Sequence, residues 1–72
     1  MKLCELKLGE SAYVKSISSN SNISRRLLDI GVIPGTKVEC VLISPAKNPK
    51  AYMIRGAIIA IRNEDAFYID VV

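Results

Sequence analysis

Residues 24–38, SRRLLDIGVIPGTKV, set a helical face, a helix stop and a tight turn directly after one another. Ile23, Leu27 and Ile30 recur at i, i+4 and i+7 with Leu28 beside them, so one side of a short helix is apolar. Arg25, Arg26 and Asp29 face the other way. This pattern assigns Leu27, Leu28 and Ile30 to the core, with Ser21 or Asn22 available as the N-cap. Gly31 stands where a helix ends in the left-handed conformation, which costs a residue without Cβ little. Pro34-Gly35 fits a type II turn, proline setting φ at the second position and glycine accepting positive φ at the third.

Outward from this block the chain reads as short strands. Upstream, Ser11–Ile17 alternates imperfectly between Gly9 and the polar run SSNSN, and reads as a strand. Downstream, Lys37–Ser44 puts Val38, Cys40 and Leu42 on one face and Glu39, Val41 and Ile43 on the other, as in a strand curled into a small barrel. Pro45 and Asn48-Pro49 break the chain into a loop. Ala51–Ile54 resumes a strand, and Ala57–Arg62 forms another apolar run. Gly56 between them suits a bulge, a barrel bend or a tight turn. Asn63 begins a short turn through Ala66, after which Phe67, Ile69 and Val71 share one side of a last strand. One helix among several short strands predicts a mainly β fold, a small closed barrel whose closure protects its edges.

Composition narrows the function classes. The 72 residues are enough for one small domain, and half of them are apolar, which is ample for a folded core. Ten Lys and Arg against seven Asp and Glu give +3, spread without a run of like charge, which is not a nucleic-acid signature. There is no histidine, and Cys4 and Cys40 stand alone without a CxxC pair, so a structural zinc site is not expected. The opening MKLCELKLGE lacks a signal-type apolar run, and the chain is expected to be cytoplasmic with both thiols free and at least half-buried. No Gly-rich phosphate cradle, GxSxG motif or thiol–base pair is present, so no catalytic residues are assigned and an enzyme is not expected. Without imidazole, tight binding of a divalent transition metal is not expected either.

The stretches LGESAYVKSI, SRRLLDIGVIPGTKVECV and YMIRGAIIAIRNEDAFYIDV together resemble the FeoA family of bacterial ferrous-iron uptake systems, over nearly the whole chain. The most specific part is RRLLDIG-x-x-PGT-x-V followed by IRG and AIRNEDA. The loop PAKNPKA and Ala57 depart from the family pattern. The resemblance implies a single domain over residues 1–72, an all-β, SH3-like β-barrel with one short α-helix inserted after the first barrel strand. It also implies a non-enzymatic cytoplasmic accessory protein that promotes iron(II) transport. Its implied partner is the cytosolic, G-domain-bearing region of the permease FeoB.

On that reading the partner-binding residues are Arg25, Arg26, Asp29 and Arg55, and the structural turn positions are Gly31, Pro34, Gly35 and Gly56. The bland alternative pairs Asp29 with the two arginines on the helix surface. No metal ligands and no cofactor are assigned, beyond weak iron(II) binding at carboxylates, and self-association is expected to be weak at most. No membrane insertion is expected. Two other readings stay in view. One is a small-barrel nucleic-acid binder, for which Tyr13, Tyr52, Phe67 and Tyr68 are the available aromatics. The other is a metal-sensing module like the C-terminal domain of DtxR-type repressors.

Overall fold

A computed structural model of the chain describes residues 1–18 and 22–72. A 3-10 turn, Leu3–Glu5, leads into β1 (Ser11–Ile17), α1 (Asn22–Asp29), β2 (Lys37–Ile43), β3 (Lys50–Ile54), β4 (Ala57–Ile61), the single-turn helix α2 (Asn63–Ala66) and β5 (Ile69–Val71). All pairings are antiparallel, in the order β4-β3-β2-β1-β5. The mainly β fold with α1 after the first strand is as expected. The helix count is corrected, since the Leu3–Glu5 and Asn63–Ala66 segments are helical too. Among the described residues no pairing joins β4 to β5, so hydrogen bonds do not close the ring, and α2 is the connection between these strands along the chain. The expected cap at Ser21 lies outside the described residues, and Asn22 is the first residue of α1.

α1 stops where Gly31 predicts. The Gly31 amide donates to the Leu28 carbonyl and the Val32 amide to the Leu27 carbonyl, the two bonds of a Schellman motif, with Gly31 at φ +88°. Leu27 and Val32 are both buried, supplying the apolar contact that accompanies this motif. The turn follows at once: the Thr36 amide donates to the Ile33 carbonyl across Pro34-Gly35, and Gly35 has φ +93°. The Thr36 hydroxyl accepts from the Ile33 amide at 3.0 Å, which strengthens the turn. This turn is docked onto β1, because the Gly35 amide donates to the Val14 carbonyl and the Val14 amide to the Thr36 carbonyl.

Four side-chain placements are corrected. Leu27 is in the core, whereas Leu28 and Ile30 are 59% and 45% exposed. Leu28 lies about 100° round the helix from Leu27, and Ile30 falls in the stop after Asp29, where Val32 takes the inward place. In β2, Val38 and Cys40 point inward but Leu42 is exposed, because the register with β3 shifts between Cys40 and Leu42. That bulge reverses the alternation, and Ile43 packs against the core instead. Phe67 is also exposed, since it ends α2 in the αR conformation and precedes β5.

The core joins Leu3, Leu6, Val14, Leu27, Val32, Val38, Cys40, Tyr52, Ile54, Ile61, Ala66, Ile69 and Val71, drawing on every element. The N-terminal segment is tied across it: the Lys50 ammonium donates to the Cys4 and Leu6 carbonyls at 2.6 and 3.2 Å. The PAKNPKA loop is tied to α2, where the Asn63 amide donates to Asn48 Oδ1 and Asn48 Nδ2 donates to Glu64 Oε1. Both cysteines are free, Cys40 buried and Cys4 partly so, as expected.

Two predictions follow from this packing. A Cβ built at Gly31 falls 3.1 Å from Arg55 Nε, in addition to the positive φ. Gly31→Val is therefore expected to cost more than about 1 kcal/mol, or about 4–8 °C in Tm for a domain of this size, read by thermal denaturation. The second concerns pH. Burial pushes the Cys40 thiol up, partly opposed by Lys50, and burial also pushes the Tyr52 phenol up. Both acids keep their protons in the fold to a higher pH than in the unfolded chain, where they ionise near about 8.5 and 10. The contribution of these two groups is therefore fully present below about pH 8.5 and declines as pH rises beyond it. A Tm series across that range is expected to show the decline, with Cys40→Ala removing its first part; an unchanged slope in Cys40→Ala would exclude the thiol as a source.

Candidate partner-binding surface

α1 presents Arg25, Arg26 and Asp29 to solvent, as the amphipathic pattern requires. Among the described residues no ion pair joins Asp29 to either arginine; the ion pair found there is Lys2–Asp70. The surface-pairing alternative for these charges is thus not what holds them. The same segment exposes Leu28, Ile30 and Ile33, which sequence reasoning had assigned to the core or passed over. The adjacent pair Leu27-Leu28 was the available signal, since neighbours about 100° apart span the full width of a core-facing stripe and one of them sits at its edge. Charged and apolar side chains together make this a surface suited to contact with protein.

Arg55 comes to the same region from β3. The β3–β4 hairpin has a two-residue loop, Arg55-Gly56, with Ile54 paired to Ala57. Both loop residues have positive φ, +51° and +81°, as a type I′ turn requires. Of the three roles left open for Gly56, the tight turn is the one found. The Arg55 side chain lies over Gly31, its Nε, Cδ and Cζ within 3.1–3.6 Å of the position a Cβ would take there. The C-terminal end of a helix is the negative end of its dipole, a favourable placement for a cation. The absent side chain at Gly31 makes room for it, so Gly31 acts both as helix stop and as seat for Arg55. Pro34 and Gly35 shape the turn beside it and are exposed.

Next to Arg55 a shallow groove of about 230 Å³ is lined by Lys37, Glu39, Met53, Arg55 and Gly56. This is smaller than the roughly 300 Å³ at which small-molecule sites begin. Among the described residues no three of His, Cys, Asp and Glu come together as a metal-ligand group. Among the described residues the aromatics form no stacked pair: Tyr52 is buried in the core, Tyr13 is exposed on β1, and Phe67 packs edge-on against Tyr68 at 5.7 Å, with the Lys2 ammonium over its ring. Among the described residues no helix is long and apolar enough to cross a membrane.

Comparison with known proteins agrees with this architecture. The FeoA domain model matches residues 1–72. A fusion protein of Porphyromonas gingivalis, named as Fe(2+) transport protein A joined to the Fe(2+) transporter FeoB, is 30% identical over 71 residues. That match covers 99% of this chain but 8% of the fusion protein. The solution structure of a FeoA protein from Chlorobium tepidum superposes with a TM-score of 0.89 at 34% identity, covering 99% of this chain and 68% of that one. The zinc complex of Stenotrophomonas maltophilia FeoA, described as a prokaryotic SH3 domain protein, gives 0.85 at 32% identity, with 100% and 89% covered. A manganese-dependent transcriptional repressor gives 0.85 at 19% identity over 40% of its length, a likeness of fold alone. Helix stop, docked turn, strand order and family match agree: the chain belongs to the FeoA domain family and carries its SH3-like fold.

Proposed function

We propose that this chain is a non-enzymatic, cofactor-free accessory protein of ferrous-iron uptake. It acts in the cytoplasm by contacting the cytosolic region of an FeoB-type permease, through Arg25, Arg26 and Asp29 on α1 and Arg55 at the hairpin tip. The observation that carries this reading is the Porphyromonas gingivalis protein, in which a region like this chain is continuous with a FeoB transporter. Covalent linkage holds two modules at high effective concentration, so a separate module doing the same work needs an adhesive surface of its own. The mixed face around α1, with Leu28, Ile30 and Ile33 among its charges, is such a surface. Binding there would favour one permease conformation by the difference in affinity between its states. Iron(II) is the permease's cargo on this reading, and any hold on it by this chain is weak.

Arg55 adds a second line of support. A non-glycine residue at φ +51° is strained by about 1 kcal/mol, and such strain concentrates at functional positions. Asn-Gly is the favoured pair for this turn. Arg55→Asn is therefore expected to raise Tm by about 4 °C while weakening the permease contact. A lower Tm would show that the guanidinium over Gly31 outweighs the strain. The direct test is titration of this chain against the purified cytosolic region of the FeoB-type permease from the same genome. Arg25→Glu with Arg26→Glu is expected to weaken binding about tenfold or more, with the circular-dichroism spectrum and Tm little changed, because exposed charges contribute little to stability. Equal affinity in the folded double variant would overturn the assignment of this face.

A further inference from the structure

The two ends of the strand order are finished differently. At the β5 end the chain covers its own edge: the Val71 amide donates to the Met1 carbonyl at 2.7 Å, Lys2 bridges Asp70, and their side chains pair at 2.9 Å. β4 ends the order on the other side, and among the described residues no strand pairs with its outer edge. Its sequence AIIAI has no charge and no proline, and its register with β3 runs through all five residues without a bulge. These are the devices that ordinarily blunt an exposed edge.

The hairpin determines which backbone groups are free. With a two-residue loop, Ile54–Ala57 is a hydrogen-bonded pair, and by alternation so are Tyr52–Ile59 and Lys50–Ile61. The amides and carbonyls of Ile58 and Ala60 therefore point away from β3. Both side chains are exposed as well, Ile58 by 64%.

We infer that the β4 edge is where a second copy of this chain adds, antiparallel, about a two-fold axis at Ile59. In that register Ile58 faces Ala60 of the second copy and Ala60 faces its Ile58. Each such pair exchanges two hydrogen bonds, so all four free groups of one edge meet the four of the other. Large faces small throughout, Ile58 against Ala60 and Ile61 against Ala57, with Ile59 alone meeting itself. Arg62, the charge abutting the strand, comes opposite Gly56, so no like charges confront one another. On the outer face the rows Glu39–Met53–Ile58 and Leu42–Ala51–Ala60 continue across the joint. A bound peptide would need side-chain pockets along this edge for specificity, whereas the groove at Lys37, Glu39 and Met53 lies over β2 and β3. A five-residue joint buries well under the roughly 1,200 Å² of a standard interface, so the dimer is weak and forms at high concentration. The inference does not depend on the permease contact, which uses α1 and the hairpin tip.

Sedimentation equilibrium between about 10 μM and 1 mM, bracketing the affinity of so small an interface, tests it. The weight-average mass is expected to rise from 7.9 kDa toward twice that value. Hydrogen-exchange protection at the Ile58 and Ala60 amides is expected to rise in parallel. Ala60→Pro removes an outward donor without touching the β3 ladder, and Ile58→Lys sets two ammonium groups diagonally across the joint; both are expected to stay monomeric. Ile58→Lys alters only an exposed side chain and carries the comparison if Ala60→Pro does not fold. A monomer throughout the range, association undiminished in folded Ile58→Lys, or protection of these amides only when a different protein is added would each overturn the inference.

Discussion

The hydrogen bond from the Val32 amide to the Leu27 carbonyl is the constraint on which the rest of the arrangement depends. It closes the helix over a buried Leu27–Val32 contact and forces the chain to reverse at Gly31. Only after that reversal can Pro34-Gly35 turn against the Val14 backbone and deliver Lys37 into register with Tyr13. Helix, turn and first strand are thus one mechanical unit. The polar face of α1 is held at a fixed angle to the sheet by backbone bonds, not by side-chain pairing at the surface.

The same stop places the charged surface. A residue with Cβ at position 31 would push on the guanidinium of Arg55, so the conformation that ends the helix also seats the tip of a distant hairpin. Electrostatic and steric roles coincide there, a cation resting at the negative end of a helix against the one residue small enough to admit it. This links a strained backbone at Arg55 to a gain elsewhere and accounts for an arginine where Asn or Gly would be easier.

Much of this was legible in the sequence because it is governed by local chemistry. The Gly31 stop and the Pro34-Gly35 turn follow from backbone preferences of those residues, and Ser11–Ile17 emerged with the bounds its flanking turn residues suggest. What was not legible depends on partners distant in the chain. The bulge after Cys40 exists only in the pairing of β2 with β3, and it alone decides that Leu42 turns out and Ile43 in. Leu28 and Ile30 were misassigned because apolar character does not say which of two neighbouring residues meets the core. On the candidate surface, Arg25, Arg26 and Asp29 could be read from helical periodicity. The seating of Arg55 on Gly31 could not, since nothing in either segment refers to the other.

The bonds that fasten Met1 to Val71 have a geometric corollary. Val72 and Tyr13 also exchange amide and carbonyl, so both chain termini are anchored side by side at one corner of the barrel. A unit whose entrance and exit adjoin can be spliced into a loop of a host polypeptide with little strain on either, because the host needs to span only a short gap. The fold is in this sense a cassette, entered and left at adjoining points.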